Sequence, residues 1–304
     1  MRALILVALA FPLCAQGPVA GRIVRSDPAQ YRGMTKVHDG AGELRLQTLV
    51  GRGVLKDLAF VHRGHLMPKS SIGHHFHNDS DETFFILNGE GQFTVDGHTS
   101  VLRGPVGVPC RAGHSHALYN ASDEPLEWMN INVRVAGAPS GGADSRDPTS
   151  VVNLDDDRAN VPLDPKPVFM SFRFDRSLLR PTKALHGGSG TAQYRRVAGQ
   201  TLFASQWSYI DHIVLPAESS FGTHFHKGVD EFLFVLNGTG NLTVGSESAP
   251  IKKWEGIALR ASEIHGLANA GSDDLEVLVI GIAQDKNALD TTVAPAQTAQ
   301  NARD

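Results

Sequence analysis

The stretch HFHNDSDETFFILNGEG, residues 75–91, returns 149 residues later as HFHKGVDEFLFVLNGTG, residues 224–240. The same offset carries Arg111 to Arg260, His116 to His265, Asn120 to Asn269 and the pair Leu126-Glu127 to Leu275-Glu276, with no gap in register. Further upstream, His38-x-Gly40-x-Gly42 is echoed by His186-x-Gly188-x-Gly190 at an offset of 148, so the duplicated unit includes an N-terminal arm. A fixed period of this length marks two copies of one structural unit. Each copy shows short β-branched or aromatic runs, such as 93–95, 101–102 and 126–135 in the first and 242–244 and 275–282 in the second, bounded by Gly, Asp-Gly or Ser-Asp turns. With no ten-residue helical stretch between them, the pattern predicts an all-β chain of two sandwich or barrel domains, with a jelly roll as the natural candidate.

The repeated strings also carry chemistry. In a strand, residues two apart share a face, so His75 and His77 can aim their imidazoles at one point while Phe76 turns away. Glu82 opens the next strand and can bring a carboxylate beside them, and His116, on a later segment, can complete the set; His224, His226, Glu231 and His265 repeat it. Three nitrogens and one oxygen suit a divalent transition metal (Mn, Fe, Ni, Co or Zn), up to one per domain, and leave coordination positions open for a small molecule. The competing reading of these side chains is ordinary strand packing, which a second copy in the same register argues against.

These residues resemble the first motif of the cupin superfamily: His75, His77, Glu82 and Gly89 match it, as do His224, His226, Glu231 and Gly238. His116 and His265 resemble the ligand of the second motif, although Arg111-x-Gly113 and Arg260-x-Ser262 stand where that motif has Pro-x-Gly. The resemblance implies two tandem cupin barrels, a bicupin similar in layout to oxalate decarboxylases, quercetin dioxygenases and several isomerases. On that basis the expected activity is a metal-dependent oxidoreductase, a decarboxylase or dioxygenase, acting on a small oxygen-rich acid or enediol. Non-redox isomerisation or hydrolysis, and capture of metal or metabolite without turnover, are the alternatives, because a fold does not fix a function.

His114 and Glu263 occupy equivalent places two residues before the last ligand, and strand parity makes them candidate general acid or base groups; each can equally be a solvated turn residue. Their difference predicts two chemically inequivalent sites. Arg111 and Arg260 are weighed as carboxylate clamps, but their odd spacing from the ligand points them away. His74 should face opposite to His75, and the His-x-Gly-x-Gly arms read as turns.

Composition narrows the partners. Of 304 residues, 41% are hydrophobic and 20% charged, enough for a core. The formal charge of −4 and the lack of a Lys/Arg cluster exclude an electrostatic footprint for nucleic acid. The expected partner is a small molecule, the chain a monomer or homo-oligomer. Met1-Arg2 followed by ALILVALAFPL, residues 3–13, is too short to span a bilayer but fits the apolar region of a signal peptide, here drawn as residues 1–15, with cleavage after Ala15 or Ala20 and a periplasmic or secreted address. A buried strand is the other reading of this run. Leu13 stands where a lipoprotein signal wants a small residue, which argues against lipid anchoring at Cys14. Cys110 is then the sole cysteine, and no intramolecular disulfide can form. The domains are drawn as 21–137 and 166–284, each with its arm, joined by a Gly/Pro/Ser/Asp-rich linker at 138–165 and followed by a loose polar tail at 285–304.

Overall fold

Alternation along single strands explains the architecture. In Leu126–Arg134, Met129, Ile131 and Val133 point to one face and are fully buried, while Asn130, Asn132 and Arg134 point to the other. The apolar face packs against the other half of the molecule and the polar face lines the interior of its own barrel. The computed structural model of the protein describes residues 18–138, 156–287 and 292–293. The proposed signal segment, Cys14, much of the linker and most of the tail lie outside the described residues.

Each half is a β-sandwich closed into a barrel. The first has a seven-stranded sheet in the order Phe172–Arg173, Val106–Cys110, Ser80–Asn88, Leu126–Arg134, Leu58–Leu66, Glu43–Val50, Arg32–Thr35, faced by a sheet of Ser71–Phe76, Ser115–Tyr119, Glu90–Val95 and His98–Arg103. The second repeats this with Val24–Arg25, Glu255–Leu259, Val229–Asn237, Leu275–Ala283, Trp207–Leu215, Thr191–Gly199 and Arg180–Lys183 against Glu247–Lys252, Thr239–Val244, His265–Asn269, Ser220–Phe225 and Thr292–Val293. All pairings are antiparallel, as expected of short strands with turn punctuation. The jelly-roll expectation holds in both halves. Within the stretch read as a loose tail, Thr292–Val293 pairs with the strand that carries His224.

The two large sheets stack on each other through one shared core. Phe85, Met129, Ile131 and Val133 of the first barrel meet Phe232, Phe234, Ile280 and Ile282 of the second. Burying each such side chain is worth about 1.5–3 kcal/mol, so the halves are firmly joined. The arms cross over as well. Val24 and Arg25, at the start of the chain, pair with Gly256 and Glu255 of the second barrel, and Phe172 and Arg173 pair with Gly107 and Val106 of the first. A boundary at 138–165 therefore separates each arm from a sheet that it completes.

Candidate metal centres

His75 lies in Ser71–Phe76 and pairs in register with His116 of Ser115–Tyr119; His77 follows directly, and Glu82 lies in Ser80–Asn88. Their Nε2 atoms meet: His116 is 2.9 Å from His75 and 3.0 Å from His77. Glu82 Oε2 stands 3.1 Å from His116, 3.5 Å from His77 and 4.0 Å from His75. In the second barrel His224 pairs with His265, and Glu231 lies 2.7 Å from His265 and 3.4 Å from His226. All eight side chains are buried, and within each set the four donor atoms fall within 4.8 Å of one another. Every predicted ligand is thus brought to its site.

The outer nitrogens decide which tautomer faces inward. His75 Nδ1 donates to Gly73 O at 2.9 Å, His224 Nδ1 to Gly222 O at 3.0 Å and His265 Nδ1 to Glu263 O at 2.9 Å. A neutral ring that donates there presents a bare lone pair at Nε2. Burial keeps the rings neutral, pushing His75 well below the usual imidazole value, His116 to about 4 and His224 to about 3. Burial opposes ionisation of Glu82 and Glu231, but hydrogen bonds from His116 and His77 to the first and from His226 to the second prevail and hold both carboxyls well below the usual range. Converging lone pairs and one carboxylate, with too few protons to bridge them, fit a divalent cation. Each domain therefore carries a four-ligand site for one such metal, with Mn, Fe, Ni, Co and Zn all compatible with this donor set.

The arms are more than turns. His38 stacks on His75 at 3.7 Å and 7°, and His186 stacks on His224 at 4.1 Å and 13°, each in a left-handed backbone conformation. The spacing of the repeat follows from close backbone approach: a Cβ on Gly73 would lie 1.9 Å from His38 O, and one on Gly40 would lie 2.3 Å from Ser71 O.

The two candidate acid–base residues fall outside both cavities, which corrects the parity argument. His114 and Glu263 lie in the turn before the strand, where alternation does not apply. His114 Nδ1 meets Asp96 Oδ2 at 2.6 Å on the surface, and Glu263 takes both Arg22 guanidinium nitrogens at 2.8 Å. Their main chains still serve: His114 O accepts from His77 N and Glu263 O from His265. Arg111 and Arg260 are exposed and line neither metal cavity, and His74 turns away to meet Ser115 at 2.8 Å.

The sites do differ, through residues that the motifs did not reveal. The first opens into a cavity of about 600 Å³ that reaches His75, His77 and Glu82 and is walled by Leu44, Phe60, His62, Phe84, Trp128 and Asn130. In the second only about 30 Å³ remains, room for about one water. At the places of Phe60, His62 and Thr48 the second barrel has Tyr209, Asp211 and Arg196. Arg196 grips Asp211 at 2.8 and 2.9 Å and lies 4.2 Å over the Tyr209 ring, which fills the space. The signal was present in the repeat itself: Asn130, Asn132 and Arg134 align at offset 149 with Val279, Gly281 and Ala283.

Comparison with known proteins agrees with the fold. The cupin domain family model matches twice, at residues 62–132 and 211–281. The oxalate-binding protein of Thermotoga maritima is 28% identical over 114 residues, 37% of this chain and 94% of that protein. Among solved structures, oxalate decarboxylase of Bacillus subtilis superposes with a TM-score of 0.59 at 14% identity, over 93% of this chain and 80% of that one. Lactobacillus farciminis oxalate decarboxylase in complex with formate gives 0.57 at 15%, over 89% and 88%. The Bacillus enzyme is a Mn(II) protein. With both barrels matched and a buried His/Glu set in each, the chain is a bicupin, two tandem domains of the cupin superfamily.

Proposed function

We propose that this bicupin is a metal-dependent decarboxylase or dioxygenase that acts on a small oxygen-rich acid in its first barrel. The observation that carries the reading is the cavity of about 600 Å³ that gives access to the first ligand set, where the second has room for about one water. A bound divalent metal supplies a Lewis acid that anchors substrate oxygens and, for Mn or Fe, a one-electron couple. The chain's own residues do the rest. Glu82 stays ionised as a ligand, held by the Asn130 amide at 2.8 Å. Phe84 and Trp128 give the cavity an apolar wall. His62 faces the cavity with its imidazole kept neutral by burial, and so can take the proton of the bound acid and return it to carbon after loss of carbon dioxide. Export is supported by the apolar run at residues 3–13 alone.

The test is carbon dioxide release and oxygen uptake on oxalate and related acids, with Mn(II)-loaded and chelator-stripped protein. Metal-dependent release or uptake supports the proposal. A second reading, capture without turnover, is favoured by the Thermotoga maritima relative; tight metal-dependent binding with neither gas exchanged would replace the first reading by the second.

A further inference from the structure

A groove of about 640 Å³ lies between the barrels and shares Arg52 and Arg134 with the lining of the first cavity. The strand registers put this junction at the metal end: Asn132 stands opposite Glu82 and Arg134 opposite Ser80, so Arg134 lies one step beyond the carboxylate ligand on the same face. The groove wall holds four cations, Arg52, Lys56, Arg134 and Arg260, against two acids, Asp57 and Asp230. Asp230 is engaged within the wall, accepting from Lys56 N at 2.9 Å and Ala261 N at 2.8 Å. Three of the cations have no carboxylate partner among the described residues. The Arg260 side chain reaches Val54 O and Lys56 Nζ reaches Gln284 O, each at 3.4 Å, while Arg52 is exposed and makes no hydrogen bond or ion pair. Arg134 donates to Ala138 O and keeps its charge at the junction.

Resting on the reading that the first barrel holds the reactive metal, we propose that this groove is the entrance for its anionic substrate, with Arg52, Lys56 and Arg260 collecting a small carboxylate and Arg52 handing it on to the metal. A cleft dominated by one sign of charge between low-dielectric walls focuses its field and raises the local concentration of counter-ions. Arg52 suits the hand-over because it borders both spaces and no partner holds its guanidinium, whose planar fork matches a carboxylate. Arg260 comes from the other barrel: its odd spacing from His265 turns it away from its own metal, and the stacking of the barrels delivers it to the groove. The entrance serves one site. The loop 51–57, which joins Glu43–Val50 to Leu58–Leu66, carries Arg52, Lys56 and Asp57, whereas the loop 200–206 between Thr191–Gly199 and Trp207–Leu215 has no charged residue. A charged approach thus stands beside the metal with an open cavity and is missing from the same loop of the barrel whose cavity is nearly filled.

The test is stopped-flow mixing of Co(II)-loaded protein, whose visible spectrum reports a ligand reaching the metal, with oxalate as the anionic probe and acetohydroxamic acid as a neutral chelating one. At about 10 mM ionic strength, Arg52→Gln and Arg260→Gln should each slow oxalate association at least about threefold, and the triple change with Lys56→Gln at least about tenfold. Cobalt content and the oxalate dissociation rate should stay as in the parent, and the difference in association should vanish at about 0.5 M salt. Acetohydroxamic acid should bind parent and variants at one rate. Arg103→Gln, beside Glu90 at the opposite end of the first barrel, should leave oxalate association unchanged. Undiminished association in the triple variant overturns the proposal, as does equal slowing of both probes, which would make these side chains shape the passage without acting through charge. A change confined to dissociation also overturns it, since the cations would then hold acid already bound. In each of these cases a Co(II) spectrum that responds to oxalate spares the metal-site reading; a spectrum that ignores both probes overturns that reading and this inference together.

Discussion

The Tyr209 hydroxyl donates to Glu231 Oε1 at 2.6 Å, gripping the carboxylate of the second ligand set from the side where Asn130 holds Glu82 in the first. Burial first, and the Glu231 charge second, push the phenol well above its ordinary value, so it stays a donor. The ring fits only because residue 281 is glycine: a Cβ there would lie 2.5 Å from Tyr209 ring atoms. Tyr209→Phe keeps the shape and deletes the bond. A buried carboxylate that loses such a donor costs about 1.5–3 kcal/mol, and outer partners of metal ligands typically tune affinity by about 10–100-fold. The expected outcome is faster loss of one metal per chain to a competing chelator, with the other retained. Identical release kinetics in variant and parent would show that Tyr209 does not support the second site.

Gly281→Ala tests the same packing from the opposite strand. The added methyl drives the Tyr209 ring toward Arg196 or the ligands, an overpacking cost of about 1–3 kcal/mol. A lower thermal midpoint with an intact first site is expected, read by calorimetry and metal content; an unchanged midpoint would mean the ring has slack.

How far the sequence revealed this molecule depended on what each feature must preserve. The ligands are tied to one geometry, so His75, His77, Glu82 and His116 reappear letter for letter at 149 residues, and the repeat exposes both site and barrel. His114 and Glu263 misled because alternation was extended into a turn, where successive side chains follow no twofold period. The exchanged strands Val24–Arg25 and Phe172–Arg173 are two residues each, too short to show any period. The polar ladder of Asn130, Asn132 and Arg134 breaks the hydrophobic alternation openly, but it marks a cavity only once the fold shows which face turns inward.

Acidification should weaken the metal-free protein over a defined window. An unfolded imidazole takes up its proton near pH 6.5, whereas His116 and His224 in the fold do so at about 4 and about 3. Between these limits the unfolded chain binds more protons than the folded one, so stability rises with pH there. It is fully present above about pH 6.5 and is lost as pH falls toward 4 and then 3. Glu82 and Glu231, held below the usual carboxylate range, act in the same direction lower down: their contribution is present above about pH 4.5 and is lost on further acidification. Thermal midpoints of chelator-treated protein should be level from pH 8 to 7 and fall from pH 6.5 to 4. A midpoint independent of pH across that range would contradict the neutral, buried state of these rings.

Gly73 and Gly222 put the arms under a sharper test. A methyl on Gly73 would meet the His38 carbonyl at 1.9 Å and the Gly40 nitrogen at 2.7 Å, backbone atoms that cannot swing aside. Gly73→Ala should therefore unseat the His38 stack, free His75 to rotate, and cost on the order of 2–4 kcal/mol. Gly222→Ala should do the same to His186 and His224. Each variant is expected to loosen the metal of its own barrel only, which titration with a chromophoric chelator reads directly; equal weakening of both sites by either change would place the arms in global stability instead of in ligand support.

The difference in access between the barrels makes the final prediction a comparison of two like changes. Glu82→Ala and Glu231→Ala each remove the only carboxylate from a four-ligand set, so each should leave about one metal per chain instead of two. If substrate meets metal in the cavity of the first barrel, Glu82→Ala loses turnover or acid binding by at least about a hundredfold. Glu231→Ala should retain most of it while lowering the thermal midpoint, because its buried site has room for little more than the metal. Equal loss from both variants, with each still holding one metal, would mean that the two centres act together and that the nearly filled second cavity opens during the reaction.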